Sequence, residues 1–136
     1  MTDRSGTLWV GTNIGLNRFD RSTERFTVYR HDERNPASLS SEGITSIYED
    51  HEGTLWIGTR RGLNRFDRTR GSFEHITIQN GLANDYIQAV RGDRRGNLWL
   101  VTHDGLSEFN PRTRAVHNYS EADGLPDSLQ IQPGEI

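Results

Sequence analysis

Cysteine and lysine are both absent from these 136 residues. Without Cys there is no disulfide, no thiolate nucleophile and no Cys-ligated zinc. Without Lys there is no Schiff base, no amine nucleophile and no P-loop lysine. All 16 basic residues are arginines, and 19 acidic residues leave a formal charge of −3. Such a balance offers no clustered basic surface, so no nucleic-acid partner is expected. Long apolar runs are also missing. None approaches the ~18–20 residues of a membrane span, so no direct membrane insertion is expected. No apolar stretch follows Met1 in the manner of a signal peptide. Apolar residues make up only 32% of the chain, yet there are 14 glycines, three Trp, five Phe and four Tyr. That mixture is unlike a disordered chain and points to short strands joined by many turns.

What is present is a repeat. The first copy reads DRSGTLWVGTNIGLNRFDRSTERF, from Asp3 to Phe26. The second reads DHEGTLWIGTRRGLNRFDRTRGSF, from Asp50 to Phe73. The third reads DRRGNLWLVTHDGLSEFNPRTRAV, from Asp93 to Val116. Trp9, Trp56 and Trp99 mark the register at spacings of 47 and 43 residues. Each Trp is followed by Thr at three residues, Gly at six and Phe at ten. Glycines this frequent exclude long helices. The apolar residues of GLNRF alternate at period two, and LWIGT suits a buried strand. Ile44–Ile47 and Ile87–Val90, ahead of copies two and three, alternate as well.

Four short strands per unit follow. In the second unit they are expected at 44–49 (A), 54–59 (B), 63–67 (C) and 73–78 (D). The Asp-x-x-Gly turn joins A to B, with the Asp side chain accepting from backbone N–H groups just ahead of it. Thr-x-x-Gly makes a tight B–C hairpin. Phe-Asp-Arg-Ser-Thr (19–23) joins C to D, and Arg70 breaks the pattern where Thr23 and Thr113 stand.

Four antiparallel strands in ~40–45 residues is the period of a propeller blade. A lone blade cannot bury both faces, so neighbours stack through Trp, Leu and Phe. The three tryptophans are therefore expected in the core. The fold class is all-β: a partial β-propeller of three four-stranded antiparallel blades, the first lacking its inner strand. The 136 residues form one propeller segment, with repeats at about 1–29, 44–78 and 87–119 and an atypical strand or tail at 120–136. Eleven strands are expected, with a twelfth around Leu129–Gln132 if the tail pairs. Three blades are too few for a ring, since propellers close with ~4–8. Further blades of a longer chain, or a second copy, are the expected partners.

The pattern D-x-x-G-x-L-W-[IV]-G-T-x-x-G-L-x-R-F-D resembles the two-component regulator propeller repeat. Copies one and two match nearly letter for letter. Copy three departs at Val101, Glu108 and Asn110. SLSSEGITSIYED and NGLANDYIQAV resemble that family's lead-in to strand A. The resemblance implies the sensor region of a hybrid two-component histidine kinase or related receptor. It implies a periplasmic location and an extracellular cue, often a carbohydrate, with kinase activity confined to the parent protein. It implies no enzyme activity and no cofactor. Asp-x-x-Gly-x-Leu-Trp also resembles the Asp-box of sialidase propellers, where the box is structural. The arginine triad and nucleophilic Tyr of those enzymes find no match here, and no pair of carboxylates is set by spacing. A pure protein–protein scaffold is the third reading.

In a blade of alternating strands, A–B and C–D turns share one rim, and B–C tips and D–A connectors share the other. The first rim repeats nearly unchanged. The second varies: its tips are Asn13-Ile14, Arg60-Arg61 and His103-Asp104, and its connectors run over 30–43, 77–86 and 120–128. Binding residues gather on variable loops held by a rigid scaffold, so this rim is the expected ligand face. Arg60 and Arg61 suit a carboxylate, a phosphate or sugar hydroxyls. Tyr86 suits an aromatic contact. His103 and Asp104 complete the candidate set for a small-molecule or glycan ligand. No metal site is expected, because no other His lies at ligand spacing.

Overall fold

The structure, a computed structural model, describes residues 1–124. Blade one holds β1 (Leu8–Thr12), β2 (Gly15–Asp20) and β3 (Arg25–Tyr29). Blade two holds β4 (Ile44–Glu49), β5 (Leu55–Thr59), β6 (Gly62–Asp67) and β7 (Ser72–Ile76). Blade three holds β8 (Ile87–Gly92), β9 (Leu98–Thr102), β10 (Gly105–Phe109) and β11 (Val116–Tyr119). Each blade is an antiparallel meander whose strands pair in chain order. The all-β propeller architecture and the eleven strands among the described residues are as expected. The region proposed for a twelfth, 129–132, lies outside the described residues.

Blade one keeps a remnant of its inner strand. Thr2 bridges Leu8. Trp9 N donates to Met1 O at 2.7 Å, and the Met1 amino group donates to Trp9 O at 2.8 Å. The register copies Glu49 opposite Leu55 and Tyr48 opposite Trp56 in blade two.

One expected boundary is corrected. Strand D of blade two ends at Ile76, not at residue 78. Thr77 instead caps a 3-10 turn over Ile78–Asn80. Its Oγ1 accepts from Gln79 N at 3.2 Å, its N–H donates to Asn80 Oδ1 at 2.9 Å, and Gly81 closes the turn at φ 108°. Ser120, Asp123 and Gly124 repeat the device after blade three. Local side-chain hydrogen bonds win over strand propensity there.

The A–B turns do more than the sequence suggested. One oxygen of each Asp accepts from backbone N–H groups two and four residues on. The other accepts from the indole N–H of the Trp six residues on. Those distances are 2.8 Å for Asp3–Trp9 and 2.9 Å for both Asp50–Trp56 and Asp93–Trp99. The Asp thus fixes the turn and the ring that fills the core. At the C–D turns Asp20, Asp67 and Asn110 each take two backbone N–H groups. One of these comes from Thr23, Arg70 or Thr113. A backbone donor serves as well from Arg as from Thr, which explains why Arg70 is tolerated.

Blades stack through two apolar clusters. Between blades one and two lie Trp9, Leu16, Leu39, Leu55, Ile57, Phe66 and Phe73. Between blades two and three lie Trp56, Leu63, Ile87, Leu100 and Phe109, among others. Trp9 and Trp56 are buried as expected, while Trp99, with no following blade among the described residues, is half-buried. Blades approach closely at the glycine of the G-T pair. A Cβ on Gly11 would collide with Ile44 of the next blade, and one on Gly58 would lie 3.1 Å from Ile87. Val101 occupies this position in the third copy.

Candidate ligand-binding face

The variable rim begins with connectors that are pinned down. Residues 30–43 are tied to blade two by Ser40, whose N–H donates to Asn64 Oδ1 at 2.9 Å. Asn64 Nδ2 returns a bond to Ser40 Oγ at 2.6 Å, and Ser40 Oγ lies 3.0 Å from Thr59 Oγ1. All three residues are buried, so this polar trio is satisfied within the protein. His31 Nδ1 and His75 Nε2 reach the carbonyls of Leu39 and Ser38. The second connector is held by Ala83 N on Ser107 Oγ at 3.1 Å and by Asn118 Nδ2 on Gly81 O at 2.8 Å. Each B–C tip is set by its Thr, whose Oγ1 accepts from the second tip residue.

On this scaffold three of the five candidate residues converge. The Tyr86 and His103 rings stack with centroids 3.9 Å apart and planes 13° from parallel. His103 N also donates to Tyr86 O at 3.2 Å. The Arg60 guanidinium stands 6.0 Å from the Tyr86 ring centre on the side of blade two. Its stem passes over Gly43, where an added Cβ would lie 3.4 Å from Cδ and Nε. A glycine leaves room for that path. Arg60 and His103 are exposed, and Tyr86 is half-buried.

Asp104 is adjacent but engaged. Its Oδ2 accepts from Asn84 Nδ2 at 2.6 Å, while Asn84 Oδ1 takes the Tyr86 N–H at 2.8 Å. Asn84 therefore braces both the tip and the connector, a role the sequence reading missed. The N-D-Y run beside a polar tip was the available signal. Arg61 is exposed beside Arg60, with its N–H on Thr59 Oγ1, and takes no part in the ring stack. Asp85 Oδ1 accepts from Ile78 N at 2.9 Å, so Asp85 and Asp104 serve different partners. Asp127, in the third connector, lies outside the described residues. No group of three or more metal-ligating side chains occurs among the described residues.

The opposite rim carries open clefts. One of about 610 Å³ is lined by Glu52, Arg65, Asp67, Arg68, Arg70 and Glu74. Its Arg68 is engaged: it bonds Asp3 Oδ2 at 2.9 Å across the blade boundary and Glu49 Oε2 at 3.2 Å within blade two. Burial alone would raise the Asp3 carboxyl. Hydrogen bonds from Ser5, Trp9, Arg68 and Thr7 outweigh it and hold the group well below the usual carboxylate range. Asp93 is lowered in the same way, against burial, by Trp99 and the backbone of Asn97 and Arg95. This rim is occupied with holding the blades together.

The model of the two-component regulator propeller family matches residues 38–61 and 81–104. Each match runs from a D–A connector through strands A and B to the B–C tip. Over these two stretches the chain is similar to the two-component regulator propeller repeat. The solved structures similar to this propeller segment agree. The extracellular domain assigned to the hybrid two component system BT3049 from B. thetaiotaomicron superposes with a TM-score of 0.76 at 25% identity. That match covers 83% of this chain and 16% of the other. The extracellular domain assigned to the one component system BT4673 from the same organism gives 0.75 at 27% identity, covering 87% and 18%. The propeller segment thus spans less than a fifth of either domain. Virginiamycin B lyase from Staphylococcus aureus gives 0.63 at 11% identity over 88% of this chain and 39% of its own, a likeness of fold alone. Among curated proteins, none matches the chain. No helix among the described residues is long and apolar enough to cross a membrane.

Proposed function

We propose that this propeller segment is a non-enzymatic, ligand-sensing part of a two-component signal-transduction receptor, facing the periplasm. The supporting comparison is with extracellular domains of such systems. The observation that carries the ligand face is the Arg60–Tyr86–His103 stack, built by two blades on a rim whose residues differ from copy to copy. It presents a guanidinium, an imidazole edge and a phenol hydroxyl from braced loops. That set suits a ligand with carboxylate and hydroxyl groups, such as an acidic sugar. A ligand spanning both tips would bias the angle between blades, which is how a ring of packed blades would pass on occupancy. Any kinase step belongs to the parent protein.

The test is calorimetric titration of the full chain with digalacturonate and with cellobiose, alongside a hydrolysis assay on both sugars. Saturable digalacturonate binding, lost in Arg60→Ala and in His103→Ala and accompanied by no hydrolysis, is the expected result. Binding unaffected by either substitution would remove this face from the account. Turnover of either sugar would remove the non-enzymatic reading.

A further inference from the structure

The rim that holds the blades together does so differently at its two joints. Between blades one and two, a pair of arginines makes a latch. Arg68 donates from Nη1 to Asp3 Oδ2 at 2.9 Å, and from Nε and Nη2 to Gly53 O at 3.2 and 3.1 Å. The same Asp3 oxygen accepts from the Trp9 indole, and the Asp3 side chain is closed off from solvent. Arg4 reaches the carbonyls of Asp50 and His51 at 2.7 and 2.8 Å. The Glu49 carboxylate faces both arginines.

Between blades two and three the same frame stands without the latch. The repeat register puts Pro111 in the place of Arg68, His51 in that of Arg4 and Gly92 in that of Glu49. A Cβ on Gly92 would collide with the Tyr48 hydroxyl, so a carboxylate side chain has no room there. The acceptors, in contrast, are kept. Asp50 Oδ2 accepts from the Trp56 indole at 2.9 Å and, among the described residues, from no second donor. Asp50 is half-buried where Asp3 is closed off. Gly96 carries the carbonyl that corresponds to Gly53. Here the blades leave a cleft of about 250 Å³. Blade two lines it with Asp50 and Glu52, and blade three with Arg94, Arg95 and Arg112. Arg112 is drawn to Glu52 at 3.5 Å. Among the described residues no ion pair reaches Arg94 or Arg95.

We propose that this cleft binds a guanidino acid, a small zwitterion with a guanidinium at one end and a carboxylate at the other. The guanidinium takes the position that the Arg68 head fills at the first joint, donating to Asp50 Oδ2 and Gly96 O. Asp50 Oδ2 then accepts two donors, as Asp3 Oδ2 does. A planar fork spans a carboxylate and a carbonyl together, which the point charge of an ammonium does less well. The carboxylate meets Arg94 and Arg95. The mixed charge of the cleft selects against simpler ions. A lone cation faces three arginines, and a lone anion faces Asp50 and Glu52. The volume falls below the ~300–1,000 Å³ of drug-sized pockets, so the occupant is about one amino acid in size. Bound there, it ties blade two to blade three as Arg68 ties blade two to blade one. The site is separate from the Arg60–Tyr86–His103 face and does not rest on that reading.

Calorimetric titration of the full chain at constant ionic strength tests this, with L-arginine as the probe. Agmatine, which lacks the carboxylate, and L-citrulline, which lacks the cation, are the comparators. Saturable L-arginine binding is expected, with each comparator weaker by about tenfold or more, since each loses a charged hydrogen bond. Pro111→Arg supplies a tethered guanidinium to the same acceptors. It should raise Tm and abolish L-arginine binding. Arg94→Ala/Arg95→Ala changes two exposed side chains and should keep a native circular dichroism spectrum. It should lower L-arginine affinity to that of agmatine and leave agmatine unchanged. Absence of saturable L-arginine binding overturns the proposal. So does L-citrulline binding as tightly as L-arginine, or L-arginine affinity that survives Pro111→Arg. A loss of agmatine binding equal to that of L-arginine in the double variant would place the arginines elsewhere than on the carboxylate, and overturns it equally.

Discussion

The two rims of the blades are made by the same strands and differ in how their polar groups are used. On the A–B/C–D rim one arrangement recurs in all three copies: an Asp holds its own turn and the Trp six residues on. On the B–C/D–A rim no tip repeats another, and at the joint of blades two and three the exposed Arg60 meets Tyr86 and His103. A chemistry repeated in every unit answers a need that every unit shares, which is to fold and stack. A chemistry present at one joint answers something outside the stack. Loss of a group from the first rim should therefore be read in stability, and loss from the second in binding.

The largest break in that division is expected at Trp56. It is 2% exposed, bonded to Asp50 and packed edge-on against Phe109 at 6.0 Å. Trp56→Ala should cost about 3–5 kcal/mol by urea unfolding, from lost burial and the cavity left behind. A cost under about 1 kcal/mol would mean that the blades are held by something other than this ring.

Asp3 comes next. Asp3→Asn keeps the shape but removes the charge that faces Arg68, and it turns one acceptor into a donor against the Trp9 indole. A loss of roughly 1–3 kcal/mol is expected. The same residue sets a pH dependence. Its carboxyl is held below its unfolded value, so the native state favours the ionised form. Its contribution is complete above the unfolded carboxylate range and drains away as pH falls below about 4. Asp93 and Asp20, also lowered, add to the same acid limb. Thermal unfolding followed across this range should show a shallower acid limb in Asp3→Asn than in the parent chain. Equal slopes would show that Asp3 does not carry the acid sensitivity.

The contrast between rims also explains what could be read from the sequence. The repeat fixed the blade count, and glycine with period-two alternation fixed the strands to within two residues. Those features depend on neighbours along the chain. The constant six-residue spacing of Asp3 to Trp9, Asp50 to Trp56 and Asp93 to Trp99 was visible, but the bond it encodes was not, because a strand's side chains alternate faces and nothing local says the ring folds back. The Arg68–Asp3 latch joins residues 65 apart in sequence. It exists only once two blades are stacked, and Arg68 looks no different from any other turn arginine. On the variable rim the loops could be named in advance. That Arg60 leans toward Tyr86 while Arg61 stays out of the stack could not, since it turns on the space above Gly43. The link from loop to ligand rests on tertiary placement alone.

The smallest effect on stability is expected where the effect on binding is greatest. Arg60 and Arg61 are both exposed, and no ion pair among the described residues involves either. The hairpin beneath them is set by Thr59 Oγ1, which takes the Arg61 backbone N–H, a donor that any non-proline residue supplies. The Arg60→Ala/Arg61→Ala chain should therefore unfold within about 0.5 kcal/mol of the parent. Its affinity for an acidic sugar should fall by about tenfold or more, since a charged hydrogen bond contributes roughly 1.5–3 kcal/mol. The single variants divide that loss: Arg60→Ala takes most of it, because only Arg60 shares the ring stack, and Arg61→Ala takes little. An equal split would mean that the ligand sits over the tip itself and not between the blades. A large fall in stability would mean that the guanidinium above Tyr86 belongs to the scaffold, and that the division between the rims fails at the one place where it was drawn from a single joint.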